Sequence, residues 1–473
     1  MRRLAFAIVS TWMIAALPGA PAAAGVPEQH RLPSILVFLA DDVSRKDFGC
    51  YGHPTIRTPN IDALAAGGLT FANAFLTTSS CSPTRISVLT GKYPHATGAE
   101  DLHMPLPEHQ PFLPTLLKRA GYHTGHMLKT HYGPAGDAQF DWYGRQVDHF
   151  PAFLDEAGDQ PFFLWVGFRD AHRPYQPGAI DNPHTPADAV VPPYLADTPE
   201  TRADLALYYD EIARMDGDIG TMLAELDRRG RTNDTLVVFF SDNGMPFPRA
   251  KGTLYDSGIG TPLIVSWPGR IAPGTVHDGL ASVIDLAPTF LELAGLPVPA
   301  DMQGRSLTPV LDDPSRPGLD AVFSERNWHN CDQHMRSIRT DRYKLIRNAY
   351  TDLPYGNPSD VSSCPSWDAL QALKSRGTLT PAQAQQFQVP RPEIELFDLQ
   401  SDPDELENLA GRPEYAHLVA ELSGRLDDWI ASTGDFPSTY RRRLDNTNRV
   451  TGEKFTTEIA PMTDPLPPGF GRR

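Results

Sequence analysis

Cysteine is scarce in this chain: Cys50, Cys81, Cys331 and Cys364 are the only four in 473 residues. So few, so widely spaced, exclude a disulfide framework as the basis of the fold, and their spacing matches no zinc motif. Cys331 and Cys364 remain one candidate pair. Positive charge is also in deficit, with 42 Lys and Arg against 58 Asp and Glu and a formal net charge of -16. That sign opposes general attraction to polyanions, so no nucleic-acid partner is expected and an anionic substrate would need a local basic pocket. Internal repeats and low-complexity tracts are lacking, as are membrane-long apolar runs after the N-terminus.

The N-terminus itself has the pattern of a secretory leader. Arg2 and Arg3 supply the basic start, an apolar run follows from Leu4 to Leu17, and Ala22-Ala23-Ala24 offers a small-residue cleavage site. The run is shorter than the ~20 residues of a membrane span, which favours a cleaved leader over a retained anchor. Cleavage after Ala24 is expected, with export to the periplasm or beyond and no membrane span afterwards. Hydrophobic residues make up 40% of the chain, with 46 prolines and 37 glycines. That balance suits a large core of short elements joined by many ordered loops, as in an α/β enzyme, rather than a helical bundle.

Ser34–Ala40 is a continuous apolar run that ends in Asp41-Asp42, the pattern of a strand buried on both faces, and Thr235–Ser241 repeats it before Asp242-Asn243-Gly244. Phe162–Phe168 and Leu263–Trp267 read as further strands, with helical patterns at Pro59–Ala66, Thr115–Ala120 and Arg202–Arg228 between them. A helix-flanked sheet follows, in which ligands bind beyond the carboxyl ends of the strands, where both acidic pairs fall. After about Asp312 the texture changes. Ala321–Glu325, Met335–Arg347 and Ile394–Leu399 read as strands of a smaller antiparallel sheet, followed by an amphipathic helix near Tyr415–Ala431. The expected layout is a leader at 1–24, a catalytic domain at 25–315, a C-terminal subdomain at 316–434 and an aperiodic tail at 435–473.

Asp41, Asp42, Asp242 and Asn243 offer only oxygen ligands, which suit calcium or magnesium far better than zinc; taken singly, each pair reads as well as a helix cap or a solvated turn. The sharpest signal is Cys81-Ser82-Pro83-Thr84-Arg85, followed by Leu89-Thr90-Gly91. This segment resembles the C-x-P-x-R signature of the formylglycine-dependent type I sulfatases, against the plainer reading of a buried structural cysteine. The resemblance extends over nearly the whole chain after the leader. It implies an alkaline-phosphatase-like α/β fold, a large mixed sheet sandwiched by helices with a smaller C-terminal antiparallel-sheet subdomain. It also implies that Cys81 is converted to formylglycine by a formylglycine-generating enzyme. The hydrated aldehyde would attack sulfur with one hydroxyl and release sulfate through the other, an exit closed to serine.

By the same resemblance, Asp41, Asp42, Asp242 and Asn243 fall on the family's calcium ligands, with residue 81 completing the shell and magnesium the less favoured ion. Arg85 falls on the arginine that holds the hydrated aldehyde. In Lys129-Thr130-His131, the lysine falls on a sulfate contact and the histidine on the base for elimination. In Asp170-Ala171-His172, the histidine falls on the acid that protonates the leaving group, and Lys251 falls on a second sulfate-binding lysine, a candidate to share that role. Any one of these histidines alone would more simply be a packed or surface residue, but their joint order supplies the basic pocket that the acidic chain otherwise lacks.

Within the family, the likeness is to the N-sulfoglucosamine sulfohydrolase (heparan sulfamidase) branch and its bacterial members. It is carried by Ser79–Arg85, Leu102-His103, Thr198–Ala206, Asn233–Leu236 and Ser241–Pro248. Two departures matter: Lys251 stands where the sulfamidase has arginine, and Ser324–His334 differs. In that segment Glu325, Arg326, Trp328, His329 and His334, with His103, are candidate sugar contacts, against the alternative of an ordinary surface loop. The expected substrate is a sulfated carbohydrate, with N-sulfate and O-sulfate both open. A phosphodiester or phosphonate monoester hydrolase is the alternative enzyme, and a silent glycan-binding protein the alternative class if Cys81 is never converted. The oligomeric state is not legible.

Overall fold

The structure, a computed structural model, describes residues 32–330, 332–352 and 354–435. The leader, Cys331 of the candidate pair and the tail from 436 lie outside the described residues. Thirteen strands are seen among those described: β1 (Ser34–Ala40), β2 (Leu69–Phe75), β3 (His123–Leu128), β4 (Trp142–Gly144), β5 (Phe162–Gly167), β6 (Thr235–Ser241), β7 (Gly260–Thr261), β8 (Leu263–Ser266), β9 (Thr275–Ser282), β10 (Val322–Trp328), β11 (Asp332–Arg339), β12 (Tyr343–Asn348) and β13 (Ile394–Asp398). The first nine form one mixed sheet in the order β4-β3-β5-β1-β6-β8-β2-β7, with β9 on the other edge of β2. β4, β3, β5, β1 and β6 are mutually parallel, while β8 runs against β6 and β2.

The unbroken apolar runs have a physical cause. On β1, Ile35, Val37 and Leu39 enter the core on one side of the sheet, and Leu36, Phe38 and Ala40 the core on the other. β6 divides the same way, with Leu236, Val238 and Phe240 against Val237 and Phe239. A strand covered by helices on both faces has no solvent side to mark with polar residues. The long helix Pro199–Arg228 lies over the second of these faces and starts at Thr198, whose hydroxyl caps Thr201 N.

β10 to β13 form the second, antiparallel sheet in sequence order. Its alternation is also two-sided: Val322, Met335, Ile346 and Phe397 join the core of the large sheet. Ile338, Leu345 and Leu396 pack instead with Leu422, Leu426 and Trp429 of the helix Ala416–Thr433. Two expectations change. Met335–Arg347 is not one strand, because Thr340 and Tyr343 close a turn on each other (Thr340 N to Tyr343 O, 2.8 Å) and divide it into β11 and β12. Ser324–Trp328 is no surface loop; it forms most of β10 and is buried, with a shift of register between Arg326 and Trp328.

A buried acidic cluster as candidate active site

Because β3, β5, β1 and β6 are parallel, their carboxyl ends meet along one edge of the sheet, and pairing continues past them. Asp41 N donates to Asp170 O at 2.9 Å, Ala171 N to Asp41 O at 2.7 Å and Asp242 N to Ala40 O at 3.2 Å. Residues as far apart as Ala40 and Asp242 are thereby fixed side by side. The helix Cys81–Thr90 is buried along its whole length, and its first residue points at this edge. Cys81, 2% exposed, lies with its Sγ 3.7 Å from Asp41 Oδ1, 4.0 Å from Asp42 Oδ1 and 3.1 Å from Asn243 Nδ2.

One ligand atom from each of Asp41, Asp42, Cys81 and Asp242 falls within 4.8 Å of the others. Burial, with Asp41 and Asp360 nearby, pushes the Asp42 carboxyl up to about 6 in spite of Lys251. Burial and the Asp41 charge also raise Asp242. Burial would raise Asp41 too, but Lys129 and Arg85 hold it well below the usual carboxylate range. Asn243 Oδ1 is buried with no partner among the described residues. Crowded buried carboxylates and an orphaned amide oxygen fit a hard divalent cation, which would relieve the repulsion and take the oxygen. Burial likewise raises the Cys81 thiol far above its ordinary value, so the unmodified side chain is a protonated, poor nucleophile.

Cations ring the cluster. Arg85 donates through Nε to Asp242 Oδ2 at 2.7 Å and through Nη1 to Lys129 O at 2.8 Å. Lys129 pairs with Asp41, and Lys251 bridges Asp42 Oδ2 at 2.6 Å and Asp360 Oδ2 at 2.7 Å. His172 donates Nδ1 to the Arg173 carbonyl at 2.6 Å, which leaves Nε2 facing Asp42 and Asp360 at 3.9 and 3.7 Å. His131 Nε2 meets His103 Nδ1 at 2.7 Å, and burial with the Lys129 charge keeps His131 neutral.

The candidate sugar contacts divide. His103 is held over the nucleophile helix by its N–H to Ser82 Oγ at 2.8 Å, and His329 by its Nδ1 to Ser80 Oγ at 2.9 Å. Trp328 is a buried wall packed on Cys81 and Leu102, not an open platform. Arg326 donates to Gly356 O at 2.7 Å, and its guanidinium lies over Gly252, next to Lys251. Glu325 instead takes both the backbone and the ring of His95, and His334 lies beside Arg336, which pairs with Asp435. These two belong to another polar group, away from the acidic cluster. Asp360 is the residue that sequence reasoning missed: it stands in no motif, 109 positions after Lys251, and only the fold brings it to the lysine.

Fold and site together define a hydrolase class whose buried acidic cluster could hold a metal ion, and the chain belongs to the sulfatase family. The family pattern "Sulfatase" matches residues 33–153 and 144–296, and "N-sulphoglucosamine sulphohydrolase, C-terminal" matches 249–365. More particularly, the chain is similar to human N-sulphoglucosamine sulphohydrolase, with 34% identity over 459 residues, covering 85% of this chain and 90% of the relative. It is also 30% identical over 456 residues to an ulvan-active sulfatase of Formosa agariphila, covering 85% of this chain and 75% of that one. Among solved structures, the phosphonate monoester hydrolase of Agrobacterium radiobacter shares the fold at a TM-score of 0.65 and 21% identity, over 85% of this chain and 96% of that one. The architecture is alkaline-phosphatase-like, and the enzyme class is sulfuric ester hydrolase.

Proposed function

We propose that the chain removes sulfate, as N-sulfate or O-sulfate, from a sulfated carbohydrate. It would use calcium held by Asp41, Asp42, Asp242 and Asn243 and a formylglycine made from Cys81. The observation that carries this reading is the place of Cys81, at a helix start among three carboxylates, an amide and three cations, where a thiol itself would be inert.

The formylglycine, hydrated, would supply a nucleophilic hydroxyl beside a second hydroxyl through which sulfate can be released. Held by Asp41, Asp42, Asp242 and Asn243, calcium would supply charge compensation for the carboxylates and Lewis-acid polarisation at position 81. The chain's own residues do the rest. Arg85, locked by Asp242 and the Lys129 carbonyl, fixes the side chain at position 81. Lys129 and Lys251 exchange Asp41 and Asp42 for sulfate oxygens, a charge-assisted contact made in a water-poor site, while Asp360 keeps its hold on Lys251. Neutral His131, steadied by His103, can accept a proton from position 81. His172 can deliver one from Nε2 to the leaving nitrogen or oxygen when the ring carries both protons, with Nδ1–H on the Arg173 carbonyl keeping Nε2 aimed at the site. Arg326, Trp328 and His329 shape the sugar side, and Glu325 and His334 do not enter this reading. A leader at 1–24 would export the enzyme to the periplasm or the medium, and no described helix is long and apolar enough to cross a membrane.

The test is sulfate release by protein co-produced with a formylglycine-generating enzyme, beside Cys81→Ala. Substrates are N-sulfoglucosamine, O-sulfated sugars and a phosphate ester. Release that depends on Cys81 supports the proposal, and the better substrate decides between N- and O-sulfate. Faster turnover of the phosphate ester would move the chain to the phosphohydrolase reading, and fully converted protein that releases nothing would overturn it.

A further inference from the structure

A cavity of about 450 Å³ opens between the loop after β1, segment 190–194, the end of β11 and the loop at 399–405. Neither the carboxylates nor the lysines of the acidic cluster line it. Two guanidinium groups do, and both sit over one ring: Arg45 at 5.5 Å and Arg339 at 4.4 Å from the Phe75 centroid. Arg339 reaches Asp256 only at 3.6 Å, because Lys344 holds that carboxylate at 2.5 Å. Lys344 also takes Glu405 at 2.8 Å. Three cations thus share two carboxylates: burial raises Glu405 despite Lys344, while Asp256, which burial alone would raise, is held below the usual carboxylate range by Lys344, Arg339 and Arg45. Asp47 is engaged elsewhere, accepting the Tyr208 hydroxyl at 2.6 Å, while Lys46 and Asp404 at the rim oppose each other in sign.

Arg45 is the cation left over. Its Nη1 is buried with no hydrogen-bond partner among the described residues, and the same holds for Nε of Arg339, a residue 5% exposed. Two like charges over a single ring, each with an unmet buried donor, cost stability unless a third group answers both. A planar or tetrahedral oxyanion does so, since guanidinium forks match carboxylate and sulfate edges. The remaining wall mixes apolar and aromatic residues such as Val191, Tyr194, Tyr209 and Met245 with the neutral polar side chains of His53 and Asn73, and the cavity's size is in the ~300–1,000 Å³ range of small-molecule pockets. We propose that this cavity is a second ligand site, which takes a sugar-sized anion with its carboxylate or sulfate group between Arg45 and Arg339.

The test is calorimetric titration of the full chain with glucuronate, inorganic sulfate and, as the neutral control, glucose. Lys129→Ala/Lys251→Ala protein is titrated alongside, because those changes disable the proposed catalytic anion site. The proposal expects saturable binding of an anion, retained in the double variant and weakened about tenfold or more by Arg45→Gln, the loss of one charged hydrogen-bonding partner. Glucose should not compete. Glucuronate alone binding would identify a sugar acid; sulfate binding equally well would identify a sulfo group. Val190→Trp, at a rim position 47% exposed, fills the mouth without touching the ion pairs and should block binding in a protein that melts normally. Binding unaffected by Arg45→Gln and Val190→Trp, binding lost in the double lysine variant, or no binding of either anion would overturn it.

Discussion

Asp360 shows what a single side chain adds to a motif. Its Oδ2 holds Lys251 and faces His172 Nε2, so it fixes the spacing between the proposed sulfate-binding and proton-donating groups without itself reaching Cys81. Asp360→Asn, which keeps the shape, should lower kcat about tenfold with a smaller change in KM, the mark of a positioning residue, and steady-state kinetics would show the split. Lys251→Ala removes a charge aimed at the reacting group and should cost about 10²–10³ in kcat. His126 supplies a prediction in pH. It is 4% exposed, stacked on Phe140 and bonded to the Tyr132 hydroxyl, and burial lowers it to about 4. A histidine lowered on folding lets the unfolded chain bind the extra proton, so its contribution is intact above about 6.5 and is lost as pH falls toward 4. From pH 7 to pH 5 this amounts to about 2 kcal/mol of lost stability, and denaturant melts of His126→Phe should lack that part of the slope.

At the level of elements, β1 and β6 could be read to the residue because burial on both faces leaves an unbroken apolar run that stops where the acids begin. The edge strands gave no such mark. β9 reads Thr-Val-His-Asp-Gly-Leu-Ala-Ser, half solvated and half covered, and has neither a clean alternation nor a continuous run. β10 was legible only in its first half, as Ala321–Glu325: Arg326 and Asn327, with His329 just past the strand, look like surface residues, but each is buried. Glu325 and Arg326 each find a polar partner there. Gly167, which ends β5, is an element-scale constraint of another kind. A Cβ there would stand 2.2 Å from Lys129 O and 2.5 Å from Arg85 Nη1. Gly167→Ala should therefore push apart the pair that Arg85 ties together. Sulfate release should drop by about tenfold or more while circular dichroism stays unchanged, since a misplacement of about 1 Å is enough.

At the level of the whole molecule, the cluster joins four parallel strand ends and one helix, so its charge balance bears on the stability of the sheet itself. A cation bound by the folded chain alone stabilises it by mass action, and its removal leaves the carboxylates to repel one another. Chelation with EGTA should lower the melting temperature of wild-type protein by several degrees, recovered by calcium; the shift should shrink in Asp242→Asn, with scanning calorimetry as the readout. The motif residues were legible because their chemistry restricts them to few residue types, whereas Asp360 and the Arg45 cavity depend on chain crossings that no local pattern records. The burial of Cys81 also sets an order of events in the life of the protein. With 2% of its surface accessible, the thiol is out of reach of any other enzyme once the sheet has closed over it. The proposed oxidation of Cys81 would then fall on the nascent or still-extended polypeptide, in a race with folding that each molecule runs once. On that proposal, a host that folds this chain faster than it modifies it would yield a permanently mixed preparation, in which specific activity reports the outcome of that race and later treatment of the folded protein would not restore it.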